Sequence, residues 1–302
     1  AYSAIENFDK EEFNLNLIKT NIKDLVKDKL FYKNSEVGIK DVLVKDNKIY
    51  ISLTNLQIPS EECYNTSIFV SDINTNYLKF EEFYNPIECV KRDNEYGDFT
   101  AVQSGGRMIS LDDRNILLTI GDYRFRDHAQ NSKNVFGTLQ KISLENKKNS
   151  LLAYGLRNSQ GLTLDSENQK ILMTDHGPKG GDEINILDVK KNTTINFGWP
   201  ISSYGEHYGL DGRDEDHPLY KKAPLYKSHK KYGFEEPAKY FVPSIGISEI
   251  VFLPNKFFKN DGDKRKFIYG SLGKNPEEGD MSFQIITFDK DYNEIDNKLF
   301  SI

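Results

Sequence analysis

The sequence predicts an all-β protein, a β-propeller of four-stranded antiparallel sheets, or blades. Apolar residues almost nowhere recur with the period of a helix; short apolar stretches alternate instead with turns rich in Asp, Asn, Lys and Gly. A loose repeat also recurs, in which a strand, an Asp/Asn turn and a second strand are followed by another strand pair. Two hairpins per unit make a four-stranded sheet, and successive sheets of this kind bury their faces against one another.

The predicted elements follow in chain order. The first segment, roughly residues 9–30, fits a short helix, although its apolar residues also fit strand alternation. The first hairpin of the repeat then begins at Asp41, Arg107, Gly161 and Glu249. The second strand pair of each unit follows at 66–74, 137–146, 183–197 and 283–295. We therefore expect four blades and a half-unit at the N-terminus.

The longest interval between repeats contains an insertion at about 202–240, which is polar and rich in Tyr and Lys. Insertions of this kind in propellers lie at one end and often border the functional site. We expect residues 1–302 to form one propeller domain. Because the chain begins at Ala1 without a leader pattern and ends in mid-pattern, we expect a processed or trimmed chain that lacks at least one C-terminal blade.

Composition argues against several classes of function. The formal net charge of −6 makes nucleic acid a poor candidate partner. No apolar run approaches the roughly 18–20 residues that would span a bilayer. The two cysteines, Cys63 and Cys89, lie in polar stretches beside predicted strands. A disulfide between them would fit an oxidising compartment, but sequence separation alone leaves two unpaired cysteines as the open alternative.

The stretch from Gly155 to Pro200 is the densest in residues that are costly to bury beside strands. Within it, Arg157 and Asn158 follow a predicted strand. An arginine at this point can bind a carboxylate or a quinone oxygen through two hydrogen bonds, or it can brace neighbouring loops. The residues alone leave both interpretations open.

A tight loop follows at 177–181. Pro178 has no N–H, and the glycines let backbone carbonyls turn toward a ligand such as calcium, although a plain hairpin turn fits equally well. Asp182 and Glu183 are candidates for a metal site or for acid–base chemistry, but adjacent residues of a strand point to opposite faces. We assign Trp199 to core or blade packing.

Three motifs, in this order and spacing, resemble those of the soluble PQQ-dependent sugar dehydrogenases, which include aldose and glucose dehydrogenases. The motifs are GLRNSQGL from Gly155, TDHGPKGGDEIN from Thr174 and NFGWP from Asn196. The resemblance continues upstream in SGGRM and LLTIGD and downstream in VPSIGISEI and YGSL, and it covers roughly residues 34–300. It implies a six-bladed β-propeller that binds pyrroloquinoline quinone (PQQ) at its axis, above a calcium ion.

The resemblance also implies roles for single residues. Arg157 and Asn158 match the Arg-Asn pair that contacts PQQ in the family. Gly177 and Pro178 match the pair whose backbone carbonyls bind the calcium. These four positions are therefore the expected centre of a cofactor site.

Two acidic residues complete the implied site. Asp122 matches the residue that supports the catalytic base, and Glu183 matches one that in some members binds a second, structural calcium. The implied reaction is oxidation of a sugar's C1 hydroxyl to a lactone. In it a base removes the hydroxyl proton while a hydride passes to PQQ, calcium polarises the quinone, and Arg157 stabilises the developing negative charge.

The chain departs from the family where the general base is expected. The family has a histidine just before its Gly-Gly-Arg turn, whereas this chain has Val102 and Gln103, and neither accepts a proton near neutral pH. His176 is the first candidate substitute as a catalytic residue, and His128 is a second. The three histidines of the insertion are too scattered to predict a zinc site.

Two further departures concern the cofactor. Lys274 is one position away from the lysine that holds PQQ in the family, so it is a candidate cofactor ligand. A late arginine-bearing segment of the family has no counterpart before Ile302. The leading hypothesis is a PQQ- and calcium-dependent sugar dehydrogenase, impaired by loss of the histidine and periplasmic or secreted. Its substrate would be a sugar or another small polyol, and its electron acceptor is left open.

The alternative hypothesis is a non-catalytic propeller that binds a carbohydrate or a protein partner through the same cleft. It predicts that Val102 and Gln103 line the position of the base and that His176 points away. A calcium-dependent lactonase is a third hypothesis, but it needs side-chain carboxylates that converge on the axis, and the sequence does not supply them.

Overall fold

The computed structural model describes residues 17–29, 31, 37–74, 76–94, 99–191, 193–207, 218–258, 262–273 and 281–301. In chain order its strands are β1 (Lys19–Thr20), β2 (Ile39–Lys45), β3 (Lys48–Ile58), β4 (Cys63–Asp72), β5 (Tyr77–Leu78), β6 (Glu81–Tyr84), β7 (Val90–Lys91), β8 (Gly105–Ser110), β9 (Asn115–Ile120), β10 (Thr138–Ser143), β11 (Asn149–Tyr154), β12 (Ser159–Asp165), β13 (Lys170–Asp175), β14 (Asp182–Asp188), β15 (Ile195–Asn196), β16 (Lys239–Phe241), β17 (Ile247–Leu253), β18 (Arg265–Ser271), β19 (Ser282–Phe288) and β20 (Glu294–Ser301). The α-helices are α1 (Ile22–Leu25), α2 (Arg126–Ala129) and α3 (Pro218–Lys222), and 3₁₀ turns occupy Pro59–Glu61, Ala101–Gln103, Lys230–Tyr232 and Asn255–Phe257.

Four antiparallel sheets follow one another along the chain. The first blade is β2-β3-β4-β6, with β7 beside β4, and the second is β8-β9-β10-β11. The third is β12-β13-β14-β16, and the fourth is β17-β18-β19-β20. The first strands of consecutive blades contact one another in order, β2 with β8, β8 with β12 and β12 with β17. This is the arrangement of inner strands in a propeller, so the predicted fold class is confirmed.

The repeat found in the sequence corresponds to the inner hairpin of each blade. Asp41, Arg107, Gly161 and Glu249, where the repeat begins, lie in the four inner strands. Apolar side chains between neighbouring blades are buried, including Leu118 of β9, Ile171 of β13 and Phe267 of β18. The Asp/Asn turns between the paired strands stay outside the core, as turns between antiparallel strands do.

The third blade differs from the prediction in its outermost strand. The stretch 183–197 was expected to supply both outer strands, and this is wrong for its second half. β15 pairs in parallel with β11 of the second blade, whereas β16, beyond the insertion, pairs with β14. Asn196 holds β15 in place because its amide exchanges two hydrogen bonds with Gln130, at 3.1 and 2.9 Å, and Gly155 leaves room for this contact.

The N-terminal segment covers the first blade. Residues 9–16 lie outside the described part of the chain, but 17–29 contain both β1, which pairs in parallel with β5, and the single turn α1. Ile22 packs with Ile49, Ile51 and Leu53 of β3 in a buried cluster. Both alternatives for this segment, helix and strand, are therefore present in short form.

The two cysteines form a disulfide. Cys63, at the start of β4, and Cys89, just before β7, have Cα atoms 5.4 Å apart and are bonded. The bond closes a loop of 26 residues in sequence separation and ties β7 to the first blade. Across the described residues, no helix combines the length and apolar character needed to cross a bilayer.

Candidate active site

A cavity of about 490 Å³ lies where the loops of three blades meet beside the inner strands. Its lining comes from the 3₁₀ turn before β8, the loop before β12, the loop between β13 and β14, and the segment that leads into β17. The residues that matter below are Gln103, Arg157, Asn158, Gln160, His176 and Gly177. A cavity of this size is typical of small-molecule sites.

Arg157 and Asn158 are held by their backbone. Their N–H groups donate to the two carboxylate oxygens of Asp175 at the end of β13, at 2.9 and 2.7 Å. Burial raises the pKa of Asp175 to about 7, against the lowering effect of these donors. Asp175 thus fixes the orientation of the loop that carries both predicted cofactor residues.

The Arg157 guanidinium lies between two loops. Its Nη1 donates to the backbone oxygens of His176, at 3.0 Å, and Gly177, at 2.8 Å. It also lies 5.5 Å from the ring centre of Trp199. Arg157 therefore braces the 177–181 loop, which is one of the two interpretations that the sequence left open. It also lines the cavity, and binding of a ligand oxygen stays a prediction.

Gln103 occupies the position next to Asp122. With its amide nitrogen oriented toward Asp122, Gln103 donates to Asp122 Oδ1 at 3.0 Å, and its oxygen accepts from Arg157 Nη2 at 2.8 Å. Val102 is 46% exposed and has no such contact with Asp122 among the described interactions. Of the two residues that the sequence offered for the position of the base, Gln103 is therefore the one in contact with Asp122, whose role as support of the base stays a prediction.

Asp122 is fully buried and surrounded by donors. Its carboxylate accepts from the indole Nε1 of Trp199 and from the backbone N–H of Arg124, both at 2.8 Å. Burial raises the pKa of Asp122, and the positive charge of Arg157 opposes this shift. Trp199 is buried as expected for packing, but it also supplies a hydrogen bond that the sequence did not predict.

His176 lines the cavity. Its backbone oxygen accepts from Arg157, which also contacts Gln103. The Nε2 of His176 is 3.2 Å from Gln160 Oε1, and its Nδ1 is 4.0 Å from Asp182 Oδ1. Burial lowers the pKa of His176, although Asp182 opposes the shift. A neutral imidazole in a cavity retains one unprotonated nitrogen, which can accept a proton or a hydrogen bond.

The carbonyls of Gly177 and Pro178 both have a donor in the structure. The Gly177 oxygen accepts from Arg157, and the Pro178 oxygen accepts from Ser244 Oγ at 3.2 Å. A carbonyl oxygen has two lone pairs, so each retains the capacity for one more partner. These oxygens have the chemistry that a hard cation such as calcium prefers.

Asp182 and Glu183 face different surroundings, as adjacent strand residues should. Asp182 accepts from the N–H groups of Gly177, at 3.0 Å, and of Ile245 and Ile247, at 3.1 and 3.0 Å. It therefore ties the 177–181 loop to the start of the fourth blade. Its three backbone donors indicate a structural role.

Glu183 is paired with a histidine from the insertion. Its carboxylate lies 3.3 Å from His229 Nε2 and accepts from Asn185 Nδ2 at 3.2 Å. Burial alone would lower the pKa of His229, but the contacts with Glu183 outweigh it and the pKa is raised. Within the described ranges, no three His, Cys, Asp or Glu side chains converge as a metal site.

The remaining predicted residues lie elsewhere. Lys274 and His217 are outside the described residues, so the role of Lys274 stays a prediction. His128 contacts Asn134, with its Nδ1 3.2 Å from the amide, and His207 Nε2 contacts the backbone oxygen of Ala223 at 2.7 Å. Neither histidine lines the cavity.

Comparison with known proteins agrees with this architecture. The glucose/sorbosone dehydrogenase family matches residues 14–276. This chain therefore belongs to that family, which confirms the resemblance drawn from its motifs.

Two curated relatives match about half of the chain. The aldose sugar dehydrogenase YliI of Escherichia coli is 26% identical over 167 residues, which is 51% of this chain and 41% of that protein. An uncharacterised protein of Synechocystis is 32% identical over 167 residues, 48% of this chain and 37% of its own. The chain thus spans about two fifths of the length of these relatives.

Solved structures confirm the fold. The soluble aldose sugar dehydrogenase of Escherichia coli, in its apo form, superposes with a TM-score of 0.66 at 19% identity, over 90% of this chain and 74% of that one. The PQQ-bound aldose sugar dehydrogenase of Streptomyces coelicolor gives a TM-score of 0.54 at 15% identity, over 87% and 65%. At these identities the likeness concerns the fold alone.

Proposed function

We propose that this chain binds PQQ and calcium in the cavity and oxidises the C1 hydroxyl of a sugar to the lactone. The observation that carries the proposal is the convergence of Arg157, Asn158 and the Gly177 carbonyl on one cavity. These are the positions at which the family motif implies cofactor contacts. Membership of a sugar dehydrogenase family supports the reaction class.

The residues present fit such a cofactor. The guanidinium of Arg157 and the amide of Asn158, both at the cavity, suit carboxylate and carbonyl oxygens. The backbone oxygens of Gly177, at the cavity, and of its neighbour Pro178 suit calcium. Lys274 is a further proposed contact. Glu183 remains a proposed ligand of a second calcium, and an ion there would have to replace the His229 contact.

Oxidation of the sugar removes a proton from the C1 hydroxyl and a hydride from C1. When bound, PQQ would supply the two-electron acceptor, and calcium would polarise it. Gln103 cannot take the proton, so His176 is the proposed acceptor. The roles of Asp122 are to hold Gln103 and to balance the charge of Arg157.

The proposal is tested by titrating the protein with PQQ in calcium buffer and following the absorbance of the cofactor. Dye reduction with a panel of aldoses then measures turnover. We expect saturable binding that depends on calcium, and weak turnover that His176→Ala abolishes. Failure to bind PQQ with calcium present would reject the proposal.

One observation favours a second candidate function, a non-catalytic propeller that binds a carbohydrate or protein partner. Gln103 is one of the two residues at the position that the resemblance implies for the base, and its amide is hydrogen-bonded to Asp122 and Arg157. Gln103→His separates the two functions, because a positioned general base is worth about 10²–10⁴ in rate. Binding without turnover in both the natural chain and Gln103→His would favour the non-catalytic function.

We also propose a periplasmic or secreted location. The bonded pair Cys63–Cys89 supports it, because disulfides persist in oxidising compartments. Fractionation of the native host, with the redox state of the cysteines measured by thiol alkylation, tests this. Reduced cysteines in freshly lysed cells would reject the proposed location.

A further inference from the structure

A second arginine lines the cavity. Arg124, in the loop between β9 and β10, is one of the lining residues and is only partly buried. Its backbone φ is +68°, and that of Tyr123 before it is +52°. Long side chains rarely adopt this left-handed conformation, whereas Asp46 and Asn47, which share it in the β2–β3 turn, are residue types that tolerate it. Because strained backbone of this kind concentrates at ligand sites, Arg124 is a candidate for a functional role.

Hydrogen bonds hold this turn on both sides of Arg124. The N–H of Tyr123 donates to the backbone oxygen of Gln103 at 3.0 Å, and the N–H of Phe125 donates to that of Asp122 at 2.7 Å. Between them, the N–H of Arg124 donates to Asp122 Oδ1 at 2.8 Å. Asp122 and Tyr123 are fully buried, so Arg124 is the residue through which this turn contributes to the cavity wall.

Arg124 comes from a different loop than the proposed cofactor contacts, which lie before β12 and between β13 and β14. Its N–H shares Asp122 Oδ1 with the side-chain amide of Gln103, which donates to the same oxygen at 3.0 Å. Gln103 is one of the two residues at the position that the resemblance implies for the base. Under the proposed function, Arg124 is therefore adjacent to the part of the cavity where a sugar hydroxyl would react.

The charges of the cavity wall favour an anionic group at Arg124. The charged residues among its described lining are Arg124, Arg157 and Asp182. The carboxylate of Asp182 accepts from three backbone N–H groups, and the buried Asp122 lies against Arg157 through Gln103. A guanidinium has five N–H donors and binds carboxylates through paired hydrogen bonds, so Arg124 can hold a ligand carboxylate in addition to contacts within the protein.

We propose that Arg124 binds the carboxylate of an acidic sugar, so that the substrates of the cavity are uronic acids in preference to neutral aldoses. A hexuronic acid keeps the C1 hydroxyl of its parent sugar and carries a carboxylate at C6, across the ring. One molecule can therefore present its C1 hydroxyl for oxidation and its charge to Arg124. This inference rests on the proposed sugar-binding function of the cavity and names its substrate class.

Calorimetric titration with glucuronate and with glucose tests the inference, and dye reduction with PQQ and calcium present gives kcat/KM for the same two sugars. The variants are Arg124→Gln, which removes the charge, and Arg124→Gly, which also relieves the left-handed backbone. Arg114→Gln is the matched control, because Arg114 is an exposed arginine in the β8–β9 turn. The natural chain should prefer glucuronate, and both Arg124 variants should lower the ratio of glucuronate to glucose affinity roughly ten- to a hundredfold. Arg114→Gln should keep the ratio of the natural chain.

A natural chain that does not prefer glucuronate, or a preference that both Arg124 variants keep, would overturn the inference. Because PQQ itself carries carboxylates, the same variants are titrated with PQQ in calcium buffer. If they weaken PQQ binding but keep the sugar preference, the carboxylate at Arg124 belongs to the cofactor and the inference falls.

The two assays also separate this inference from the proposed function. If no sugar is oxidised but calorimetry shows a preference for glucuronate that depends on Arg124, sugar oxidation falls and this inference stands. If both sugars are oxidised and the Arg124 variants keep the ratio of their kcat/KM, oxidation stands and this inference falls.

Discussion

Asp122 ties together three segments beside the candidate active site. It collects hydrogen bonds from Trp199, from the backbone of Arg124 and from Gln103, which belong to three separate segments. Since Asp122 is completely buried, no water can replace a lost donor or acceptor. The charge of Arg157 offsets part of the cost of burying this carboxylate.

Asp122→Ala should therefore unfold at lower denaturant than the natural chain. Removing one partner from a buried charged network typically costs about 3–5 kcal/mol. Urea unfolding followed by the fluorescence of Trp199, the sole tryptophan of the chain, measures the loss at the site itself. Asp113→Ala, at an exposed position of the β8–β9 turn, is the control and should change little. A loss below about 1 kcal/mol would contradict the assigned role of Asp122.

At the scale of single residues, motif spacing predicted Arg157, Asn158 and the 177–181 loop as neighbours of one site, and the structure brings them to one cavity. Motif spacing could not choose between Val102 and Gln103 for the position of the base. A shift of one residue in the 3₁₀ turn leaves the following Gly-Gly-Arg motif unchanged. Motif spacing also missed Asp175 and Ser244. Their only sequence signal is a polar residue at a strand end, which many structural residues share.

At the scale of single elements, the conformation of the 177–181 loop depends on close contact with the insertion. Gly181 has φ of +74°, and a methyl group added to it would lie 2.2 Å from the backbone nitrogen of Gly205. Gly233 has a similar φ of +84°, but a methyl group there would meet open space. The two glycines therefore share backbone strain and differ in steric contact alone.

Replacing each glycine by alanine separates the two effects. Both variants should lose about 1–2 kcal/mol from the left-handed backbone. Gly181→Ala should lose about 1–3 kcal/mol more, because the backbone of the insertion has to move. Thermal and urea unfolding of the pair measure the difference. Equal losses would show that the loop and the insertion do not depend on this contact.

Charged side chains from the inner strands of three blades form a cluster of salt bridges. Arg107 of β8 lies 3.3 Å from Asp41 of β2 and 3.2 Å from Glu249 of β17. Glu249 also accepts from the N–H of Leu162, in β12, at 3.1 Å. Burial raises the pKa of Glu249, and Arg107 opposes the shift.

This raised pKa gives a pH dependence of known sign. The Glu249 carboxyl keeps its proton to higher pH in the folded chain than in the unfolded chain. The natural chain therefore loses stability as pH rises from about 4 through the folded pKa. Glu249→Gln keeps an oxygen for the backbone donors and removes the titration. Between about pH 4 and 7, the unfolding midpoint of Glu249→Gln should rise relative to that of the natural chain as pH increases. If the difference between the two midpoints does not change with pH, the pKa of Glu249 is not raised in the folded chain.

Among the elements, the inner hairpins were predictable because each has two apolar strands around an Asp/Asn turn, so local pattern and tertiary position agree. The outer strand of the third blade was not predictable in the same way. Ile195–Asn196 follows β14 directly, yet side-chain pairing with Gln130 draws it to the second blade. The true outer strand, Lys239–Phe241, is separated by the insertion and too short to stand out.

At the scale of the whole molecule, the first and fourth blades differ in how their faces are covered. The N-terminal segment packs on the outward face of the first blade. On the fourth blade, Phe267 and Phe288 are buried toward the third blade, whereas Val251, Phe283 and Phe300 are exposed. Phe283 and Phe300 face each other in register with stacked rings, so the exposed residues form a patch across strands.

An apolar sheet face of this kind favours association, and Phe283→Ser should reduce it. Burial of apolar area contributes about 25 cal/mol per Å², so removing an exposed phenylalanine weakens contact between molecules. Because Phe283 is partly exposed and stacks on Phe300, its loss should lower stability by only about 0.5–1.5 kcal/mol, and the variant should stay folded. Light scattering coupled to size-exclusion chromatography, over a range of protein concentrations, measures self-association. The control is Tyr77→Ser, because Tyr77 is an exposed aromatic residue on the covered first blade. If Tyr77→Ser reduces association as much as Phe283→Ser does, the patch on the fourth blade has no special role.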